Sequence, residues 1–210
     1  MKSPNDYIVQ FKETHQTTTT VGDCELTVNP MFEQPKWINR VGIVIATPPS
    51  IDTPIQKGYE VLVVHTVLLD ESFIKQGKIE NPFLADKEKG YYRFEPSLIV
   101  MYREDDKSEW KCNNEYIMVL PIEIDTIQKE WNGLDIPDMV YENEQGYKGN
   151  ENQKGTIAYD NPKLNEKGIY KGDEIIFKVD REYEFELDGK TYWNMENNDI
   201  LLYNPKNRAA

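Results

Sequence analysis

A chain of 210 residues with 39% hydrophobic content has enough apolar material for one large all-β domain or two small ones. Its 24 basic and 37 acidic residues leave a formal charge of -13, which repels nucleic-acid phosphates and anionic membrane surfaces, and no basic patch offsets it. No apolar run reaches the roughly 18 residues of a membrane helix, and Met-Lys-Ser-Pro-Asn-Asp is no signal-peptide start. Cys24 and Cys112 have no close partner or metal-type spacing, and there is no Asn-x-Ser/Thr sequon; a reducing, cytoplasmic setting without disulfides is expected.

Alternation of apolar and polar residues runs almost throughout, in β-branched and aromatic segments bounded by Gly, Pro, Asn and Asp. The pattern predicts strands at Tyr7–Lys12, Val41–Thr47, Tyr59–Leu68, Tyr91–Phe94 and Leu98–Arg103 in the first half. In the second half it predicts Tyr116–Ile122, Thr156–Tyr159, Glu174–Val179, Tyr183–Leu187, Lys190–Trp193 and Asp199–Tyr203. Helices are expected only at Asp70–Gly77 and Asp125–Trp131, each opening on an aspartate suited to N-capping.

The strands fall into two sets of similar order. Asn5–Phe11 (NDYIVQF) matches Asn114–Leu120 (NEYIMVL), and each is followed by about thirty residues without strong periodicity, an uncommon loop length in a compact domain. Val41–Pro49 (VGIVIATPP) corresponds to Lys154–Pro162 (KGTIAYDNP), and Lys57–His65 (KGYEVLVVH) to Lys171–Val179 (KGDEIIFKV). Tyr91–Tyr102 (YYRFEPSLIVMY) aligns without a gap on Tyr192–Tyr203 (YWNMENNDILLY). Two domains are therefore expected, residues 1–103 and 110–205, joined by the acidic run Arg103–Glu109 as a solvated linker.

Each half resembles the GroES-like co-chaperonins, the small proteins that cap chaperonin rings. Gly155-Thr156-Ile157 resembles their glycine-led strand, Lys171-Gly172-Asp173-Glu174-Ile175-Ile176-Phe177 their turn and apolar strand, and Met195-Glu196-Asn197-Asn198-Asp199-Ile200-Leu201 their acidic terminal motif. The first half keeps the order but carries Tyr59 where Asp is usual and Pro96-Ser97-Leu98 before its last strand. The resemblance implies an all-β chain of two tandem, partly open β-barrels with long loops. It also implies a homo-oligomeric ring in which Asp199–Tyr203 and Tyr7–Phe11 pair edge to edge, and a GroEL-like chaperonin as partner. The same repeated order also fits an unrelated tandem β-barrel, since Gly-Asp turns occur throughout such folds.

In that family the mobile loop orders as it docks on the chaperonin, so binding is weak per loop and strong by avidity. The corresponding stretches are Glu13–Asn39 and Glu123–Gln153. The second offers Leu134 and Ile136 on one side of an extended chain before Pro137, with Met139 and Val140 beyond; the first offers Leu26 and Val28 after Gly22, in a pattern that equally fits an extra strand. The alternative is that these apolar residues pack back on the scaffold.

No enzyme is expected. His15 and His65 are the only histidines, no HExxH, GxSxG, phosphate-binding glycine loop or paired-Cys motif occurs, and no catalytic, cofactor or metal residue is assigned. Trp110, Trp131 and Trp193 read as packing residues before they read as a ligand box. A viral or ring-forming structural protein, capsid-associated and built on tandem β-barrels, fits the same features as well as a chaperonin lid.

Overall fold

The computed structural model describes residues 1–12, 18–21, 24–27, 39–68, 74–75, 78–79, 81–113, 115–123, 130–131, 134–135, 150–181 and 183–206. The chain divides into two compact units, Met1–Tyr116 and Ile117–Ala210. Both are almost entirely β, and no helix among the described residues is long and apolar enough to cross a membrane.

Unit 1 contributes β1 (Tyr7–Gln10), β2 (Val41–Ala46), β3 (Glu60–Val63), β4 (Leu84–Asp86), β5 (Tyr91–Phe94), β6 (Ile99–Arg103) and β7 (Lys111–Cys112). They form one sheet in the order β7-β6-β3-β2-β1-β5-β4. The second sheet uses β8 (Tyr116–Glu123), β9 (Asn150–Tyr159), β10 (Glu174–Phe177), β11 (Tyr183–Leu187), β12 (Lys190–Glu196) and β13 (Ile200–Asn204), in the order β13-β10-β9-β8-β12-β11. Strand for strand, the second order repeats the first without β7. Neither sheet closes on itself, so the architecture is two open antiparallel sheets.

The repeat extends to single residues. Ile8 faces Ala46 and Val9 faces Val44, leaving Ile45 as a bulge; Met118 faces Tyr159 and Val119 faces Ile157, leaving Ala158 in the same role. At the other junction Ile99 faces Val63 and Met101 faces Leu62, bulging at Val100, while Ile200 faces Phe177 and Leu202 faces Ile176, bulging at Leu201. A bulge bends its strand at a fixed place and pins the register. The gapless match of Tyr91–Tyr102 on Tyr192–Tyr203 is thus the structural equivalence. The first-strand match is one residue out: Tyr7 is equivalent to Ile117, not to Tyr116. Burial gives the reason, because Tyr7, Val9 and Phe11 enter the first core as Ile117 and Val119 enter the second, whereas Tyr116 is only half-buried and directs its hydroxyl to the Ser97 carbonyl at 3.1 Å.

Local chemistry explains the matching turns. Gly58 and Gly172 adopt φ of 94° and 93°, a region that penalises any Cβ. Their N–H groups donate to Val44 and Ile157 carbonyls, each at 2.8 Å. Asp173 is fully buried, accepting from the Tyr170 N–H and the Lys206 N–H, each at 3.0 Å; its counterpart Tyr59 packs against the unit 1 core. One turn of 3-10 helix precedes each last strand. Asp199 closes the second by accepting from the Glu196 N–H at 3.2 Å, and Pro96 starts the first with a preset φ, so Pro96-Ser97-Leu98 replaces the acidic motif without changing the path.

Each unit buries its own core. Phe11 meets Tyr92 edge to face at 5.4 Å in the first, and Phe177 meets Trp193 at 5.6 Å in the second; burial contributes about 1.5–3 kcal/mol per large apolar side chain.

Several expected elements differ. The strand predicted over Tyr59–Leu68 ends at Val63 and gives way to a 3-10 turn at His65–Val67. Within the predicted helix at Asp70–Gly77, Ile74–Lys75 is a strand paired with Lys78–Ile79, and 70–73 and 76–77 lie outside the described residues. In Asp125–Trp131, Glu130–Trp131 is a strand paired with Leu134–Asp135, and 125–129 lie outside the described residues. The only α-helix among the described residues, Pro162–Glu166, was not anticipated despite its signal: Asn161 caps it by accepting from the Leu164 N–H at 2.9 Å, and Pro162 fills the first turn.

A candidate interaction edge

Arg103–Glu109 is not an interdomain linker. It leads from β6 into a turn in which Asp105 accepts from the Lys107 N–H at 3.0 Å, and the chain returns as β7 beside β6. Met101 faces Cys112 and Tyr102 faces Lys111. Trp110 is buried and its ring lies under the Arg103 guanidinium at 4.4 Å, while Arg103 also pairs with Glu60 at 2.6 Å. These contacts seal the β6 edge: Val100 and Met101 are both 0% exposed.

In unit 2 the equivalent edge carries no further strand among the described residues. β13 ends the sheet, bonded to β10 on one side only. Leu201 is 56% exposed, Leu202 64% and Tyr203 45%. Beside it runs an open groove of about 570 Å³, lined by Ile122, Lys154, Glu174, Ile175, Ile176, Leu202, Tyr203 and Asn204. Position by position, Glu174 stands for Glu60 and Asn204 for Arg103, so the exposed Glu174 carboxylate faces an amide where Glu60 faces a cation. A row of unpaired backbone groups flanked by exposed apolar side chains is the physical form of a strand-addition site.

The expected ring-pairing strand Tyr7–Phe11 is not available as an edge. β1 lies between β2 and β5 and bonds to both, because Tyr7, Val9 and Phe11 form the centre of the core. Of the expected docking residues, Leu26 sits in the strand Cys24–Thr27, opposite Thr19 of Thr18–Val21, and Leu134 sits opposite Trp131. Both therefore belong to short hairpins. Val28, Ile136, Met139 and Val140 lie outside the described residues.

Leu202 and Tyr203 lie in Asp199–Tyr203, the stretch expected to pair, and its signal is the consecutive apolar run Ile200-Leu201-Leu202-Tyr203, which breaks the alternation of a strand with one solvated face. Ile122 and Ile176, on the interior strands β8 and β10, were not singled out.

No group of three or more His, Cys, Asp and Glu is placed to hold a metal ion among the described residues. His65 is held near pKa 4, chiefly by burial and secondarily by the Arg40 charge. Cys112 is buried. Trp110 and Trp193 are packing residues. The chain matches no protein-family model, and it matches no curated protein sequence.

Proposed function

We propose that this protein is a co-chaperonin-like lid: a ring-forming, non-enzymatic scaffold that presents its two long insertions to a chaperonin and assists protein folding. What supports this reading is that both insertions leave the scaffold at the same place. Residues between β1 and β2, and between β8 and β9, bridge equivalent neighbouring strands of equivalent sheets. A scaffold that repeats one strand order and suspends a long insertion at the same junction twice suits multivalent docking, in which each weak contact gains from the others. Leu134, Ile136, Met139 and Val140 are assigned as apolar anchors of the second insertion, and Leu26 and Val28 as those of the first.

The test is co-sedimentation with a GroEL-type chaperonin, with and without nucleotide. A lid binds in a nucleotide-dependent manner, and Leu134→Ser with Ile136→Ser weakens binding severalfold while thermal stability stays within about 0.5 kcal/mol of the parent. Loss of stability with binding retained would make these residues part of the fold and sink their anchor role.

The second reading, a ring-forming structural protein of a virion, draws support from the β13 edge, which carries no further strand among the described residues, because edge-to-edge assembly needs no chaperonin. That reading predicts assembled protein that ignores chaperonin under every nucleotide condition.

A further inference from the structure

We propose that the hairpin formed by Ile74–Lys75 and Lys78–Ile79 pairs edge to edge with the hairpin formed by Glu130–Trp131 and Leu134–Asp135 of a second copy of this chain, the strand Ile74–Lys75 lying antiparallel beside Glu130–Trp131. The contact goes beyond the reading above and is independent of chaperonin docking.

The first of these hairpins has no counterpart in the duplication. Between β10 and β11 the chain spans only 178–182, whereas between β3 and β4 it spans 64–83. The extra stretch is fixed where it begins and where it ends. Leu68 is buried before it. After it, the buried Asn81 donates from Nδ2 to the Val67 carbonyl at 3.0 Å, accepts from the Phe83 N–H at 2.9 Å and takes the Leu84 N–H on its own carbonyl at 3.1 Å. Asn81 thus clasps both ends together, and the stretch leaves and re-enters unit 1 at one built point. Neither hairpin bonds to another strand among the described residues. A two-stranded hairpin alone is marginal in water, whereas four strands sharing an apolar face hold together.

The registers say which strands meet. Ile74 stands opposite Ile79 and Lys75 opposite Lys78; Glu130 stands opposite Asp135 and Trp131 opposite Leu134. Successive strand residues belong to opposite faces, so each hairpin has one apolar and one charged face, cationic in the first and anionic in the second. Along the chain the first hairpin reads apolar, charged, charged, apolar, and the second charged, apolar, apolar, charged. Antiparallel addition therefore sets Ile74 opposite Trp131 and Lys75 opposite Glu130, a β-branched residue against an aromatic one on one face and opposite charges on the other. Parallel addition of the same strands would set Ile74 against Glu130 and Lys75 against Trp131. The remaining two-stranded sheet, Thr18–Val21 with Cys24–Thr27, brings only Glu25 as a charge and does not match. A net charge of -13 makes copies repel except where cations meet carboxylates, and Lys75 with Lys78 supplies such a place. The strand Leu134–Asp135 lies on the far side of its hairpin from this contact, so the anchor role proposed for Leu134 is untouched.

Sedimentation velocity on the full chain, from micromolar to millimolar concentration, tests this. The parent protein associates, and less so as salt rises. Lys75→Glu and Glu130→Lys each weaken association by about threefold or more, as expected when a cross-strand pair becomes a like-charge pair. The two changes combined in one chain restore it, and so does mixing the two single variants. A cross-link keeps the test sharp if a charge reversal disturbs folding: in a Cys24→Ser background, Lys75→Cys protein mixed with Glu130→Cys protein under mild oxidation gives a 75–130 disulfide between chains. A parent protein that is monomeric throughout overturns the proposal, as does association insensitive to both reversals, a 75–130 disulfide that forms only within one chain, or cross-linking of 75 to 75. Lys75 has no part in the chaperonin reading, so loss of self-association with nucleotide-dependent chaperonin binding intact removes this contact alone, and association without chaperonin binding removes the lid alone.

Discussion

Strands β6 and β13 occupy the same place in the same sheet order, with a bulge at the same position, yet among the described residues one is sealed and the other is not. Leu62 and Met101 are 2% and 0% exposed, while their equivalents are the half-buried Ile176 and the exposed Leu202. The side chains at these positions are alike in size and polarity, so the contrast is not one of composition. It comes from the segment after β6, where Trp110 and β7 close the edge, and from the Arg103–Glu60 pair between β6 and β3. A terminal strand of this type is finished by the segment that follows it, and β13 has none among the described residues.

The strongest way to break this contrast is to unseal β6. Trp110→Ala removes the ring packed under Arg103, and a buried Trp→Ala change costs about 3–5 kcal/mol. Denaturant unfolding is expected to show that loss, while Leu202→Ala, at the equivalent edge of unit 2, costs less than about 0.5 kcal/mol. Similar losses from both would mean that β13 is covered in the isolated protein.

A second test probes what the units share. A Cβ on Gly42 would collide with Val9 and Phe11, and one on Gly155 with Val119 and the Leu120 carbonyl. Gly42→Ala and Gly155→Ala are each expected to cost about 1–3 kcal/mol by overpacking, read as a lower midpoint for the unit concerned. If only one glycine proved sensitive, the two sheets would differ in how closely the second strand approaches the first.

The smallest effect is a difference in acid response. His65 is neutral in the folded state down to about pH 4, whereas it protonates near 6.5 when unfolded. The unfolded chain therefore binds the extra proton between these values, and the stability contributed by neutral His65 is present above pH 6.5 and lost progressively as pH falls toward 4. Partial exposure reduces the effect to about 1 kcal/mol. The equivalent position in unit 2 is the exposed Val179, so this response belongs to unit 1. His65→Gln should flatten the difference between melts at pH 7 and pH 4.5; an unchanged slope would assign the acid sensitivity to carboxylates.

Most of the strands and their repeated order were legible because strands with one buried face keep their alternation, and because a duplicated chain states its order twice. The gapless match ending in Tyr102 and Tyr203 survived down to the bulges. The first-strand match slipped because Tyr7 and Tyr116 are identical residues one step out of phase, and identity outweighed burial. β7 was illegible for another reason. Two residues are too short for a period, and the acidic run before them has the composition of a solvated linker, although Trp110 at its end was the one residue that water would not hold. The candidate edge was half visible: Asp199–Tyr203 read as a pairing strand, but apolar side chains on both faces also describe a fully buried one. Which it is depends on neighbours far away in sequence.

The bulge at Leu201 has a consequence for safety rather than for recognition. A long flat edge with Leu, Leu and Tyr exposed is a template on which strands stack without limit. Here the extra residue bends β13 after Ile200, leaving a straight ladder no longer than Leu202–Asn204.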